Sequence, residues 1–344
     1  MCSISIRNNV KCYLAIALIA AASFFGLSEI SNAANAELEK LIEGAKKEKE
    51  VNFYYTTGIS DGNAVAEKFE KKYPFLKLKP YRTGQQNFLV KIMAEARAKR
   101  YEADTILAVG SVMHTIQKAG ILEKYVSTED RFYPDDFKEY GYWITNYVNA
   151  YVNAFNTKLV PRNQLPKTYG DLLNPRWKGK MMMDATKVDW FIGMLQIMGE
   201  EKGLSWMEAL AKQNISYRIG HTLICQLIAS GEAEVSLNQS TASIDTLAAK
   251  GGSLDWVALG PIPGITVGSG IAAHAPHPNA ARLLNDFMLS EECQNIWAGF
   301  HRMSVRTDIP RTAKFKGLKI VPVNPELVDN MKEYTQKSRK IFGR

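Results

Sequence analysis

Six short stretches of this 344-residue sequence bring hydroxyl, amide or basic side chains together, most of them beside a glycine. They are Thr56-Thr57-Gly58, Arg82-Thr83-Gly84, Gly110-Ser111, Thr186-Lys187, Gly220-His221-Thr222 and Asn238-Gln239. Such residues supply neutral hydrogen-bond donors and a few cations, which hold the oxygen atoms of a ligand rather than break its bonds. Glycine lets a ligand come close to backbone N–H groups, and Arg82 and Lys187 can add one positive charge each. Taken singly, Ser, Thr or Asp before a helix also reads as an ordinary cap. The spread of the set over both halves of the chain favours a shared cleft.

Constellations for covalent chemistry are missing. There is no Gly-x-Ser-x-Gly elbow, and Val267-Gly268-Ser269-Gly270 lacks its spacing. The five histidines, at positions 114, 221, 274, 277 and 301, form no His-Glu-x-x-His, and no cysteine pair has zinc-ligand spacing. His274 and His277 flank Pro276 and read as loop residues. Neither a P-loop nor a Gly-x-Gly-x-x-Gly is present. The expectation is a protein with no catalytic residues, no cofactor and no resident metal, with a secreted hydrolase as the rival class.

The polar stretches need elements to hold them, and the patterning supplies strand, loop and helix in repeated order. Val51 to Tyr55, Leu76 to Tyr81 and Ala103 to Ala108 read as strands. Ala64 to Lys72, Phe88 to Arg100 and Val112 to Ala119 follow them with helical spacing. Tyr147 to Asn156 reads as a crossing strand, and the alternation restarts at Met181-Met182-Met183. Helices are expected over Trp190 to Glu200, Trp206 to Gln213, Leu223 to Ala229 and Asn279 to Leu289, with Val235 to Leu237 and Val267 to Ala275 as apolar runs between them. This is the signature of an α/β fold with two doubly wound lobes, whose strand carboxyl ends are the edge where ligands bind. The length agrees, because a single core rarely grows past about 300 residues.

The start of the chain belongs to no lobe. Arg7 and Lys11, the apolar run Tyr13 to Leu27 and the small-x-small Ala34-Asn35-Ala36 form a secretory signal over residues 1–36. A retained anchor needs about 20 apolar residues, and Glu29 interrupts the run. Cys225 and Cys293 remain beyond the signal, either as one disulfide or as buried free thiols. The formal charge of +8 concentrates in residues 311–344, where nine basic side chains face three acidic ones, so the rest carries only +2. That distribution gives no nucleic-acid footprint and reads as a solvated basic helical tail.

Several pieces together resemble a known family. They are Val51 to Gly58, Thr168 to Lys180 with Asp171-Leu172 and Trp177-Lys178-Gly179-Lys180, Ser230 to Val235, Ala275 to Ala281, and Phe287 to Gln294. In this order they are similar to extracellular solute-binding proteins of family 1, in the branch of ferric-ion and thiamine binding proteins of bacterial ABC importers. The resemblance implies a type II Venus-flytrap, each lobe a mostly parallel sheet flanked by helices. Lobe one is expected over 37–150 plus 266–310 and lobe two over 151–265. A monomer in the periplasm would pass its ligand to an inner-membrane ABC permease, with delivery to a sensor as a further possibility.

Ferric members place two adjacent tyrosines just after the strand that here is expected to end at Leu237, where this sequence has Asn238-Gln239-Ser240-Thr241. The leading expectation is therefore a small oxygen-rich anion of carboxylate, phosphate or phosphonate type, held without an obligatory metal. Ferric iron or an iron chelate is the alternative. Tyr54, Tyr55, Tyr142 and Tyr217 are the phenols considered for that role, against a reading of them as core or cleft lining.

Overall fold

The computed structural model describes residues 36–310 and 313–343. The expected signal segment lies outside them, save for Ala36, which opens the amphipathic helix α1 over 36–48. Lobe one follows with β1 (Glu50–Tyr55), α2 (Ile59–Lys72), β2 (Lys77–Arg82), α3 (Gln85–Arg97), β3 (Thr105–Val109) and α4 (Gly110–Lys118). Next come β4 (Trp143–Asn156), β5 (Met181–Met183), α5 (Val188–Met198), α6 (Glu200–Ala211), β6 (Ser216–Tyr217), α7 (His221–Ser230), β7 (Val235–Ser240), α8 (Thr241–Ala249) and β8 (Leu254–Val257). The chain ends with β9 (Ile262–Ile271), α9 (Pro278–Leu289), α10 (Glu291–Gly299), β10 (Ile320–Pro322) and α11 (Met331–Phe342).

The strands run in the order β2-β1-β3-β9-β4-β7-β5-β6. β1 pairs in parallel with β2 and β3, and β5 with β6 and β7, as the alternation predicts. Every antiparallel pairing involves β4 or β9, so each lobe's sheet is mixed where these two long strands join it. They pair with each other from Trp143↔Gly270 to Ala150↔Gly264 and make the connection between the lobes.

Both faces of β1 are buried over its second half, where Phe53-Tyr54-Tyr55 runs without a break. Phe53 and Tyr55 stack at 4.8 Å on one face, in a cluster with Phe69 of α2, Phe287 of α9 and Trp297 of α10. Tyr54 faces the other way, toward Phe88 and Ile92 of α3. Gly62 of α2 lies flat on the Tyr55 ring, where a Cβ would fall 2.2 Å from Cζ. In lobe two, Met181 and Met183 point into a cluster with Trp177, Trp190 and Phe191, while Met182 joins Ile224, Ile228 and Ile244 on the opposite face.

Two expectations need correction, and the structure decides between the two readings of the cysteines. The helices α2, α3, α4 and α7 begin earlier than their apolar spacing suggests, so Gly110, Ser111, His221 and Thr222 are first-turn residues rather than loop. Cys225 and Cys293 are free and buried in different clusters, so they do not pair. The basic tail is not a free solvated helix. Lys314 pairs with Asp245 and Asp255, β10 runs parallel to β9, and Phe342 of α11 is buried in the lobe-two core. Its cations lie on the outer side of an amphipathic segment whose few apolar residues dock it. No helix among the described residues is long and apolar enough to cross a membrane.

Candidate functional site

Six helices, α2, α3, α4, α5, α7 and α8, begin where a strand ends, and in none does the N-cap side chain accept from the first turn, although in α5 the Trp190 N–H donates to Asp189 Oδ1 (3.2 Å). By contrast α10 is capped by Ser290, which accepts from the Cys293 N–H. The Thr, Ser and Asn residues of the polar stretches therefore are not spent as caps, and the first-turn N–H groups keep their donor capacity.

β4 links the two halves of the site. Tyr147, Asn149 and Tyr151 stand two residues apart with no bulge between them, so they share one face. At the lobe-one end, Arg302 donates to Asn149 Oδ1 (3.0 Å) and to Asp61 Oδ2 (3.1 Å), and its guanidinium lies 5.2 Å from the Tyr147 ring centroid. Thr57 adjoins the Tyr147 phenol, and the buried hydroxyl of Thr56 has no partner among the described residues. At the lobe-two end, the Tyr151 hydroxyl donates to Asp189 Oδ2 (3.3 Å) and its ring sits 5.5 Å from that of His221. Burial, and for Tyr151 the neighbouring Asp189, pushes both phenol pKa values up, so both rings carry their protons at neutral pH.

Asp184 ties lobe two's half of the site together. Its fully buried carboxylate accepts from the Thr186 N–H (3.0 Å), the Thr186 hydroxyl (2.5 Å) and the Gly220 N–H (2.9 Å), with Lys187 Nζ at 3.8 Å. Asn238 clamps the Asp184 backbone from both sides, accepting from its N–H and donating to its carbonyl. This double bond explains how Asn238 holds a left-handed φ of 49° inside a strand. Gly220 has φ 99°, which a side chain would strain, and it aims its N–H at Asp184. Burial alone would raise the Asp184 pKa, but the bonds from Thr186 and Gly220 and the charge of Lys187 outweigh it and hold the carboxyl below its ordinary range.

His221 Nδ1 lies 3.1 Å from Gln239 Oε1, while Gln239 Nε2 donates to the Leu237 carbonyl. That network assigns the proton to Nδ1 and leaves the lone pair on Nε2. Burial, aided by the charge of Lys187, pushes the His221 pKa down to about 4. A group lowered on folding binds its proton more tightly when unfolded, so falling pH favours unfolding between the two values. Stability is thus expected to fall by about 3 kcal/mol from pH 6.5 to pH 4 on account of this residue. Urea unfolding of His221→Gln across that window should lose this slope, and an unchanged slope would refute the assignment.

Two cavities open between the lobes. One, of about 460 Å³, is lined by Gly110 and Ser111, by Thr186, Lys187 and Asp189, by Thr266 of β9 and by residues of the C-terminal segment. The other, of about 490 Å³, is lined by Asp61, Thr222, Ser243, His301 and Arg302 among others. Tyr147 and Tyr151 line neither cavity but sit in the core behind Arg302 and Asp189, which do. Of the expected residues, Gly110, Ser111, Thr186, Lys187 and Thr222 line a cavity, and His221, Gln239 and Asn238 support the wall behind Tyr151. Thr57 accepts from Arg82 Nε through its carbonyl (3.1 Å), and Arg82 is exposed outside both cavities, so lobe one's inward cation is Arg302 instead. Gly58 is the N-cap residue of α2, and Thr83 is tied to the Tyr55 carbonyl. The phenols considered from sequence lie elsewhere: Tyr54 and Tyr142 in the cluster beneath α3 and α4, Tyr55 on Gly62, and Tyr217 against Phe342. Tyr147 and Tyr151 were visible only as strand residues, and Asp61, Asp184, Asp189 and Arg302 left no local motif.

Residues 101–320 match the profile of the family described as bacterial extracellular solute-binding protein. A 98-residue stretch is 26% identical to the Fe(3+)-binding periplasmic protein of Serratia marcescens, a match spanning 28% of this chain and 29% of that relative. Among solved structures, the fold is similar to that of Trichodesmium IdiA (FutA) in complex with iron and citrate ligands, with a TM-score of 0.73, 18% identity and coverage of 85% of this chain and 99% of that one. It is also similar to AfuA from Actinobacillus pleuropneumoniae with fructose-6-phosphate bound, at a TM-score of 0.69, 22% identity and coverage of 86% and 98%. The profile carries no family-1 designation, which the sequence resemblance had suggested. With two thirds of the length matched by the profile and a two-lobed α/β architecture, the chain belongs to the bacterial extracellular solute-binding protein family.

Proposed function

We propose that this protein is the periplasmic solute-capturing component of an ABC importer, closing its two lobes over a small oxygen-rich cargo and delivering it to a membrane permease without turnover. The observation that carries the reading is the convergence of helix starts from both lobes, none capped by its N-cap side chain, on the interlobe cavities. The lobe limits expected from sequence, 37–150 with 266–310 and 151–265, belong to this proposal, with β4 and β9 as the hinge.

The relatives move ferric iron ahead of the metal-free anion as the cargo, most simply as iron accompanied by a carboxylate chelator. The cleft suits such a pair. Tyr151 and Asp189 can offer hard oxygen ligands once the phenol releases its proton to solvent, and the neighbouring His221 offers a lone pair. Lys187, on the same cavity wall as Asp189, can meet the chelator's carboxylates. The metal-free anion stays as a second reading because Asn238-Gln239-Ser240-Thr241 stands where ferric members carry adjacent tyrosines.

Titration with Fe(III) citrate, citrate alone and a sugar phosphate separates the two. The iron reading expects a visible phenolate-to-iron charge-transfer band that weakens strongly in Tyr151→Phe. Colourless binding of citrate or the sugar phosphate, weakened about 10 to 150 fold by Lys187→Ala, would select the metal-free anion. Binding of none of the three would remove both.

A further inference from the structure

The segment after β9's partner strand crosses the cleft twice more. It is tied to lobe two at both ends. On the near side, Ile320–Pro322 pairs with Ile262–Gly264, Gln196 of α5 donates to the Pro322 carbonyl (3.1 Å), and the Asn324 N–H donates back to Gln196 (3.2 Å). Gly193 of α5 makes room for it, since a Cβ there would lie 2.8 Å from Val323 Cγ2. On the far side, Lys337 of α11 pairs with Glu200 of α6 (2.6 Å) and Phe342 is buried in the lobe-two core. Between these anchors, residues Pro325–Asn330 form a short 3-10 turn that packs on α4 of lobe one. There Asp329 meets Lys118 Nζ at 2.7 Å, and His114 Nε2, buried without a hydrogen-bond partner, lies 3.9 Å from the same carboxylate. Asn324, Met331 and Thr335 of the segment also wall the 460 Å³ cavity.

We propose that residues 323–331 are an interlobe latch: a strap fixed to lobe two that clasps α4 of lobe one through Asp329 and so restrains the opening of the cleft. Lobe opening must part Asp329 from Lys118, because the strap's two anchors travel with lobe two. Both partners are more than half exposed, so the pair biases opening by no more than about fivefold, as a clasp that must release each cycle should. The inference is independent of the cargo, and its test contains none.

Small-angle scattering and amide exchange of the whole ligand-free protein compare the native chain, Asp329→Lys, and the exchange Asp329→Lys with Lys118→Asp. Asp329→Lys sets a cation against Lys118 and His114. It is expected to raise the radius of gyration and to speed exchange across 325–331 by about fivefold or more, and the double exchange should restore both. If Asp329→Lys fails to fold by circular dichroism, Lys118→Met carries the same expectation. A single variant that superposes on the native scattering curve, or a double exchange that stays open, overturns the latch. Failure of iron or citrate to bind would defeat the cargo reading and leave this result standing.

Discussion

Asp184→Ala is expected to lower stability by about 3 to 5 kcal/mol, because it leaves two backbone N–H groups, a hydroxyl and Lys187 facing a buried space with no anion. The loss is local in origin and wide in effect. Two connections, β5–α5 and β6–α7, meet at this one carboxylate, so Thr186 and Gly220 lose their fixed positions together, while Asn238 of β7 keeps its bonds to the residue's backbone. Asp184→Asn keeps one acceptor and should cost less. The pH dependence follows from the lowered folded-state pKa: the carboxylate contributes its full stability above about pH 4 and loses it as pH falls through the depressed value. Urea unfolding at neutral pH measures the first effect. A loss below about 1 kcal/mol would show that Asp184 is not the hub.

Arg302→Ala is the second large effect, about 3 kcal/mol, because it abandons Asp61, which is 2% exposed, without its cation. The substitution also removes the bond to Asn149 and the charge over Tyr147. Arg302→Lys should recover only part of the loss, since an ammonium cannot reproduce the two directed bonds of the guanidinium. Adding Asp61→Asn to Arg302→Ala relieves the unpaired buried charge and is expected to regain stability. If the double variant is no more stable than Arg302→Ala, the ion pair is not what Arg302 supplies. Thermal unfolding of the four proteins decides it.

The sequence makes the first lobe readable because its elements announce themselves by period: β1 to α4 alternate between strand and helix patterns, and each falls within a few residues of its expected place. Helix starts are the weak point. Gly84 and Gly220 precede helices that open on two polar residues, and Ile59, which opens α2, is exposed, so no buried apolar residue marks the true beginning. The same feature makes the polar stretches stand out as site candidates. What stayed hidden depends on partners far apart in the chain. Arg302 and Asp61 are 241 residues apart, and no window of sequence can show that they meet. β10 is three residues long and exists because β9 offers an edge, not because of its own pattern. Asn238 reads as a polar loop residue, whereas it sits in a bulge of β7 itself, where Leu237 and Asn238 stand opposite the single residue Asn153 of β4.

The strand order also sets a timetable for folding. β3 ends at Val109, yet its neighbour in the sheet, β9, begins at Ile262, and Glu48 caps α9 through the N–H groups of Asn279 and Ala280. A chain delivered amino terminus first therefore holds an unfinished sheet, with β3 as an open edge, until nearly all of lobe two has followed. Such distant pairings make folding slow, and an open edge meanwhile invites pairing with other chains. The protein's most vulnerable moment is thus the interval before residues 262–271 arrive, and a chaperone that shields β3 during that wait would raise the yield of folded protein more than any stabilisation of the finished lobes.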